Sequence, residues 1–99
     1  MLKHIVMWRV RATTDRTQEQ NATEMKRLLE ALSGRIPGLL AIEVGINTVA
    51  GNDAMDVVLY SEFAGRQALA AYLQHPEHER VAEFVKAVRV ERRVVDYET

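Results

Sequence analysis

The run Leu2 to Val10 most constrains what this chain can fold into, because both of its registers are rich in apolar side chains. In an extended strand His4, Val6, Trp8 and Val10 share one face, and Lys3, Ile5, Met7 and Arg9 share the other. A strand in a half-solvated antiparallel sheet alternates cleanly between apolar and polar residues, so one that is greasy on both sides needs two covers. The pattern recurs. Leu39 to Asn47 places Leu40, Ile42, Val44 and Ile46 on one side and Ala41, Glu43 and Gly45 on the other. Met55 to Phe63 sets Met55, Val57, Leu59 and Phe63 against Val58 and Tyr60. Arg89 to Tyr97, β-branched and charged, reads as a fourth strand centred on Val94-Val95, its Arg89, Glu91, Arg92 and Arg93 suiting a salt-bridged edge.

Between the strands the period changes from two to 3.6. Thr17 followed by Gln20 forms the pattern of a capping box, and Ala22, Met25, Leu28, Leu29, Leu32 and Ile36 then recur at helical spacing. Ser33-Gly34 and Pro37-Gly38 stop that helix. Asn47 to Ala54, with Gly51-Asn52-Asp53, reads as a turn between strands. Gly65 to Gln74 forms a short helix that uses Ala68, Leu69 and Tyr72 inward. A last helix from Pro76 to about Ala87 buries Val81, Phe84, Val85 and Val88.

The order strand, helix, strand, strand, helix, strand predicts an α+β fold: a ferredoxin-like βαββαβ protomer, with a four-stranded antiparallel sheet and helices on one side. Ninety-nine residues form a single domain, 1–99. No segment is left to cover the second sheet face, so the simplest cover is another copy of the chain packed about a two-fold axis. A homodimer is expected.

Composition narrows the function. A net charge of −1, from 13 basic and 14 acidic residues, disfavours nucleic acid and anionic membranes as partners. The absence of cysteine removes disulfides, thiolate metal sites and thiol nucleophiles, and fits a reducing cytoplasmic location. The apolar start breaks at Arg9, far short of a membrane span, and has no cleavable signal pattern.

Titratable chemistry concentrates in Tyr72-Leu73-Gln74-His75-Pro76-Glu77-His78, which carries two of the three histidines. Pro76 disfavours helical geometry at His75 yet is well placed as the first residue of a new helix, and Glu77 and Glu79 favour the positive end of its dipole. The corner so formed lets Tyr72, His75 and His78 approach one region. His78 reads either as a helix-terminal cap or as a residue facing a ligand. Tyr72 reads as packing or as a hydroxyl donor, and His4 as core or cavity wall. Trp8 and His75 are candidate substrate contacts, with core or interface packing and helix closure as their structural alternatives. The spacing of His4, His75 and His78 matches no recognised zinc pattern, so neither a metal nor a cofactor is expected.

The segments Lys3-His4-Ile5-Val6, Ile36-Pro37-Gly38, Glu43-Val44-Gly45-Ile46-Asn47, Ser61-Glu62-Phe63, Ala71-Tyr72 with His75-Pro76-Glu77-His78, and Val94-Val95-Asp96-Tyr97 together resemble the stress-responsive dimeric α/β-barrel (Dabb) family across the whole chain. The resemblance implies a dimeric α/β barrel with a cavity between each sheet and its helices. The family includes stress-induced proteins and a plant polyketide cyclase that works without metal or cofactor. The cyclase's working residues correspond by motif to His4, Tyr72 and His78. A further tyrosine of that enzyme's first helix has no counterpart in Lys26-Arg27-Leu28-Leu29.

Three functions follow as expectations. The first is binding of a small hydrophobic molecule in the cavity. The second is a cofactor-independent lyase, cyclase or oxygenase using His78 as base and Tyr72 as donor, with His4 orienting or supplying a second donor. The third is a structural interaction module.

Overall fold

A computed structural model describes residues 1–99. The elements are β1 (Leu2–Val10), α1 (Gln18–Glu30), β2 (Leu39–Ile46), β3 (Val57–Phe63), α2 (Arg66–Gln74), α3 (Pro76–Val88) and β4 (Arg89–Glu98). The sheet is antiparallel throughout, in the order β2-β3-β1-β4. This is the ferredoxin-like protomer, with all three helices on one face. No helix is long and apolar enough to cross a membrane.

The local signals act as their chemistry requires. Thr17 Oγ1 accepts from the Gln20 amide at 3.1 Å, and Gln20 Oε1 accepts from the Thr17 amide at 2.9 Å, closing the capping box. α1 ends at Glu30, and turns carry Leu32 and Ile36 into the core beyond it. Gly38 has φ +84°, and a Cβ there would lie 2.6 Å from the Ala68 Cβ. Only glycine allows both the left-handed turn into β2 and the close passage of α2.

The helix-facing registers form one core, from Val6 and Trp8 on β1 and Leu59 and Phe63 on β3 to Met25 and Leu29 on α1 and Val81 and Val85 on α3. β2 departs from simple alternation. An irregularity between Leu39 and Ala41 turns Leu39 inward and leaves Leu40 57% exposed, where strict period two would place Leu40 with Ile42 and Val44. β3 begins at Val57 rather than Met55. Asp56 ends the loop instead, its amide donating to the Trp8 carbonyl at 2.8 Å and its carboxylate accepting from the Val10 amide at 2.8 Å.

The sheet edges differ. At the middle of β2, Glu30 Oε2 accepts from the Val44 amide at 3.0 Å while Lys26 Nζ donates to the Val44 carbonyl at 2.5 Å. Lys26 and Glu30, themselves paired at 2.9 Å, thus occupy both backbone groups that Val44, at one position along this edge strand, would offer to a neighbour. β4, the other edge, is largely exposed. The sheet face away from the helices carries Ile5, Met7, Val58 and Val95 with Tyr60 and Tyr97, and in one protomer nothing covers it.

Candidate functional site

α3 packs against α1 and α2 and stands off from β1 and β4, leaving a cavity of about 620 Å³ between helix and sheet. Its walls come from β1 (His4, Val6, Trp8), the end of α2 (Tyr72, Leu73), the inward face of α3, and the start of β4. The two-residue periodicity of β1 puts His4 and Trp8 on this wall, because the same register buries Val6 between them.

The α2–α3 corner delivers the remaining groups. His75 adopts φ −69° and ψ 134°, the extended geometry that Pro76 imposes, so one helix stops and the next begins without a linker. That bend brings the Tyr72 and His78 rings to 4.3 Å between centroids. Phe63 packs edge-on to Tyr72 at 4.9 Å, and His4 closes the cluster at 6.4 Å from Tyr72. His75 is not part of it. Its Nδ1 accepts from the Glu77 amide at 3.1 Å, so it caps α3 and does not line the cavity. His4, Tyr72, His78 and Trp8 are therefore gathered on one cavity, and His75 is set apart from them. No cluster of three histidine, aspartate or glutamate side chains has a metal-holding arrangement.

Sequence reasoning did not single out Asp96. It lies opposite His4 in the β1–β4 register, and its carboxylate sits 2.5 Å from His4 Nδ1. A carboxylate can only accept, so Nδ1 carries the hydrogen, and in the uncharged form of the ring the lone pair then falls on Nε2. Ser61, opposite His4 on the other side, donates to the His4 carbonyl at 2.8 Å and holds the strand position. An aspartate among β-branched residues on the last strand was the available signal, and only the strand register tells which histidine it meets.

The electrostatics distinguish Tyr72 from His78. Burial pushes the Tyr72 hydroxyl far above the ordinary phenol value, so it remains a protonated donor. Burial also holds His78 below the ordinary imidazole value, and nearby His4 adds to this, while the Leu73 carbonyl and Glu79 partly oppose it. The uncharged imidazole is thereby favoured at His78. Four buried side-chain polar atoms lack a hydrogen-bond partner, and three of them, Trp8 Nε1, Tyr72 Oη and His78 Nδ1, belong to residues lining this cavity. The fourth, Asn21 Oδ1, lies elsewhere; the Asn21 amide nitrogen binds the Arg11 carbonyl and Thr13.

Comparison with solved structures finds the same architecture in several proteins. A dimeric ferredoxin-like protein of unknown function from Bacteroides fragilis is 31% identical, with a TM-score of 0.83 over 99% of this chain and 95% of that one. One from Jannaschia, also dimeric and of unknown function, is 25% identical, with a TM-score of 0.80 over 99% and 98% of the two chains. A hydroxynitrile lyase from Passiflora edulis shares the fold at 15% identity, with a TM-score of 0.79 over 97% and 90%. No curated protein matches. The model of the stress responsive A/B barrel domain matches residues 2–99, so the chain belongs to that family.

Proposed function

We propose that the protein works as a homodimer in which each protomer binds a small, largely apolar molecule bearing a carbonyl or hydroxyl oxygen in the cavity beneath α3. The observation that carries this reading is the set of unpartnered polar atoms, Trp8 Nε1, Tyr72 Oη and His78 Nδ1, in residues that line one cavity. Native interiors satisfy nearly all buried polar groups, and each orphan costs about 1–3 kcal/mol. Three orphans around one apolar space fit a site whose missing partners arrive with a ligand. The dimeric relatives and the bare apolar sheet face support the assembly.

Trp8 is the sole tryptophan, so its fluorescence reports occupancy of the cavity. Titration with 2-nonanone is expected to give saturable quenching that Trp8-independent calorimetry reproduces. No heat and no quenching up to the ketone's solubility would remove this reading.

The neutral state of His78 favours a second reading, cofactor-independent proton transfer. His78 Nδ1 would take an α-proton from a bound ketone, the C–H electron pair would become an enolate, and Tyr72 would donate a hydrogen bond to its oxygen. Return of a solvent deuteron to the same carbon completes exchange with no other reactant. Proton NMR of 2-nonanone in deuterated buffer is expected to show exchange above background that disappears in His78→Ala. Equal rates with and without enzyme would leave binding alone.

A further inference from the structure

The cavity is polarised along its length. His4, Tyr72 and His78 occupy one end, where β1 starts and α3 begins. The other end is reached by following either wall. From His78 to Lys86 is eight residues of helix, roughly 12 Å. From His4 to Trp8 is four residues of strand, about 13 Å. At this far end Arg92 stands opposite Trp8 in the β1–β4 register and Arg89 opposite Val10. Lys86, Arg89 and Arg92 all line the cavity.

These cations are unneutralised. Arg9, Lys26, Arg27, Arg35, Arg66 and Arg93 are each ion-paired, whereas Lys86, Arg89 and Arg92, like Lys3 and Arg16 elsewhere, form no ion pair and their side chains make no hydrogen bond; these three are the ones that line the cavity. Of the two carboxylates on the cavity wall, Glu79 adjoins His78, and Glu83 stands one helical turn from Lys86 without pairing to it. Arg11 answers the Ala87 carbonyl at 2.7 Å, blunting the negative end of the α3 dipole. Trp8, only 4% exposed, adds a buried N–H with no acceptor. Cations that no carboxylate neutralises and one buried N–H therefore collect at one end of the cavity, with Lys86 and Arg92 at its solvent-exposed mouth.

We infer that this end is an anion site, and that the ligand is an apolar chain carrying a carboxylate or phosphate roughly 12 Å from the group that meets Tyr72 and His78. This rests on the cavity being a ligand site and specifies what that ligand carries. Two arginines and an indole N–H offer several donors, which suits the multiple oxygens of either anion.

The test compares decanoate, decyl phosphate and decanamide by calorimetry at low and at physiological ionic strength. At least one anion is expected to bind about tenfold more tightly than the amide at low salt, and the advantage is expected to shrink as salt screens it. The better anion identifies the group. Arg89→Gln with Arg92→Gln, together changing side chains at the cavity mouth, is expected to reduce that advantage to about twofold or less while the amide's affinity stays nearly constant. Trp8→Phe keeps an aromatic wall and is expected to weaken the anion more than the amide. Equal affinities for all three compounds in the unaltered protein would overturn the anion site and leave the cavity reading standing. Failure of all three to bind would overturn both. The salt series needs no variant, so it decides the matter even if a substitution impairs folding.

Discussion

His4 Nδ1 and the Asp96 carboxylate meet at 2.5 Å across the β1–β4 pairing, joining residues 92 positions apart in sequence. The contact holds a hydrogen on Nδ1, and in the uncharged ring it leaves His4 Nε2 as an acceptor in the aromatic cluster with Tyr72.

Asp96→Asn should disturb that arrangement while keeping side-chain size. Nitrogen NMR of the His4 ring is expected to show Nε2 unprotonated in the parent and a mixture of tautomers in the variant. Because Asp96 is 40% exposed, the stability loss by urea unfolding should be modest, about 1 kcal/mol. An unchanged His4 spectrum would show that the carboxylate does not set the tautomer.

The lowered affinity of His78 for protons has a sign that can be checked. The unfolded chain takes up a proton as pH falls through about 6.5, while folded His78 resists until a lower pH. Stability from this group is therefore complete above pH 6.5 and lost as pH falls toward the folded value. The slope for one proton has a ceiling of about 1.4 kcal/mol per pH unit, and a partly solvated ring should deliver a fraction of it. Urea midpoints between pH 7 and 5 should fall less steeply in His78→Gln than in the parent. Glu24 and Glu30, held below the ordinary carboxylate value first by hydrogen bonds from Arg27 and Lys26, act in a separate window below pH 4.5.

Tyr72→Phe separates stability from binding. The hydroxyl is buried without a partner, so deleting it should leave stability unchanged or raise it by about 1 kcal/mol. The same change should weaken binding of 2-nonanone about tenfold, because the ketone loses its donor. Destabilisation by more than about 1 kcal/mol, seen in urea melts, would mean that the hydroxyl is satisfied in the native state.

Association should depend on the bare sheet face. Ile5 and Val95 are register partners there, and Val95 is 59% exposed in the protomer. Ile5→Asp or Val95→Asp should raise the dimer dissociation constant at least a hundredfold, as measured by light scattering across a concentration series. A parent protein that scatters as a single protomer at micromolar concentration would exclude the homodimer.

Much of this architecture was legible because the deciding signals are local. Thr17 with Gln20, His75 with Pro76, and the alternation in β1 each act within a few residues, so their structures follow from neighbouring residues. Tyr72 and His78 were legible as a pair for the same reason. What escaped is set by pairing between distant strands. The irregularity at Leu40 depends on how β2 meets β3, and the Asp96 contact depends on where β4 registers against β1. The orphaned Trp8 N–H is invisible in sequence, because an apolar strand position says nothing about which ring atom finds a partner. His75 was the reverse case, a histidine whose local capping role outweighs its nearness to reactive residues.

The Lys26–Glu30 grip on Val44 has an effect beyond holding a helix in place. Growth of a β-fibril from folded subunits needs two receptive rims on every unit, one to give and one to receive. With the Val44 position of β2 plugged by its own protein's side chains, a strand cannot run its ladder unbroken along that rim, which disfavours lengthening beyond a pair joined through β4. Removing that plug with Lys26→Ala and Glu30→Ala should convert a self-limiting molecule into one able to lengthen.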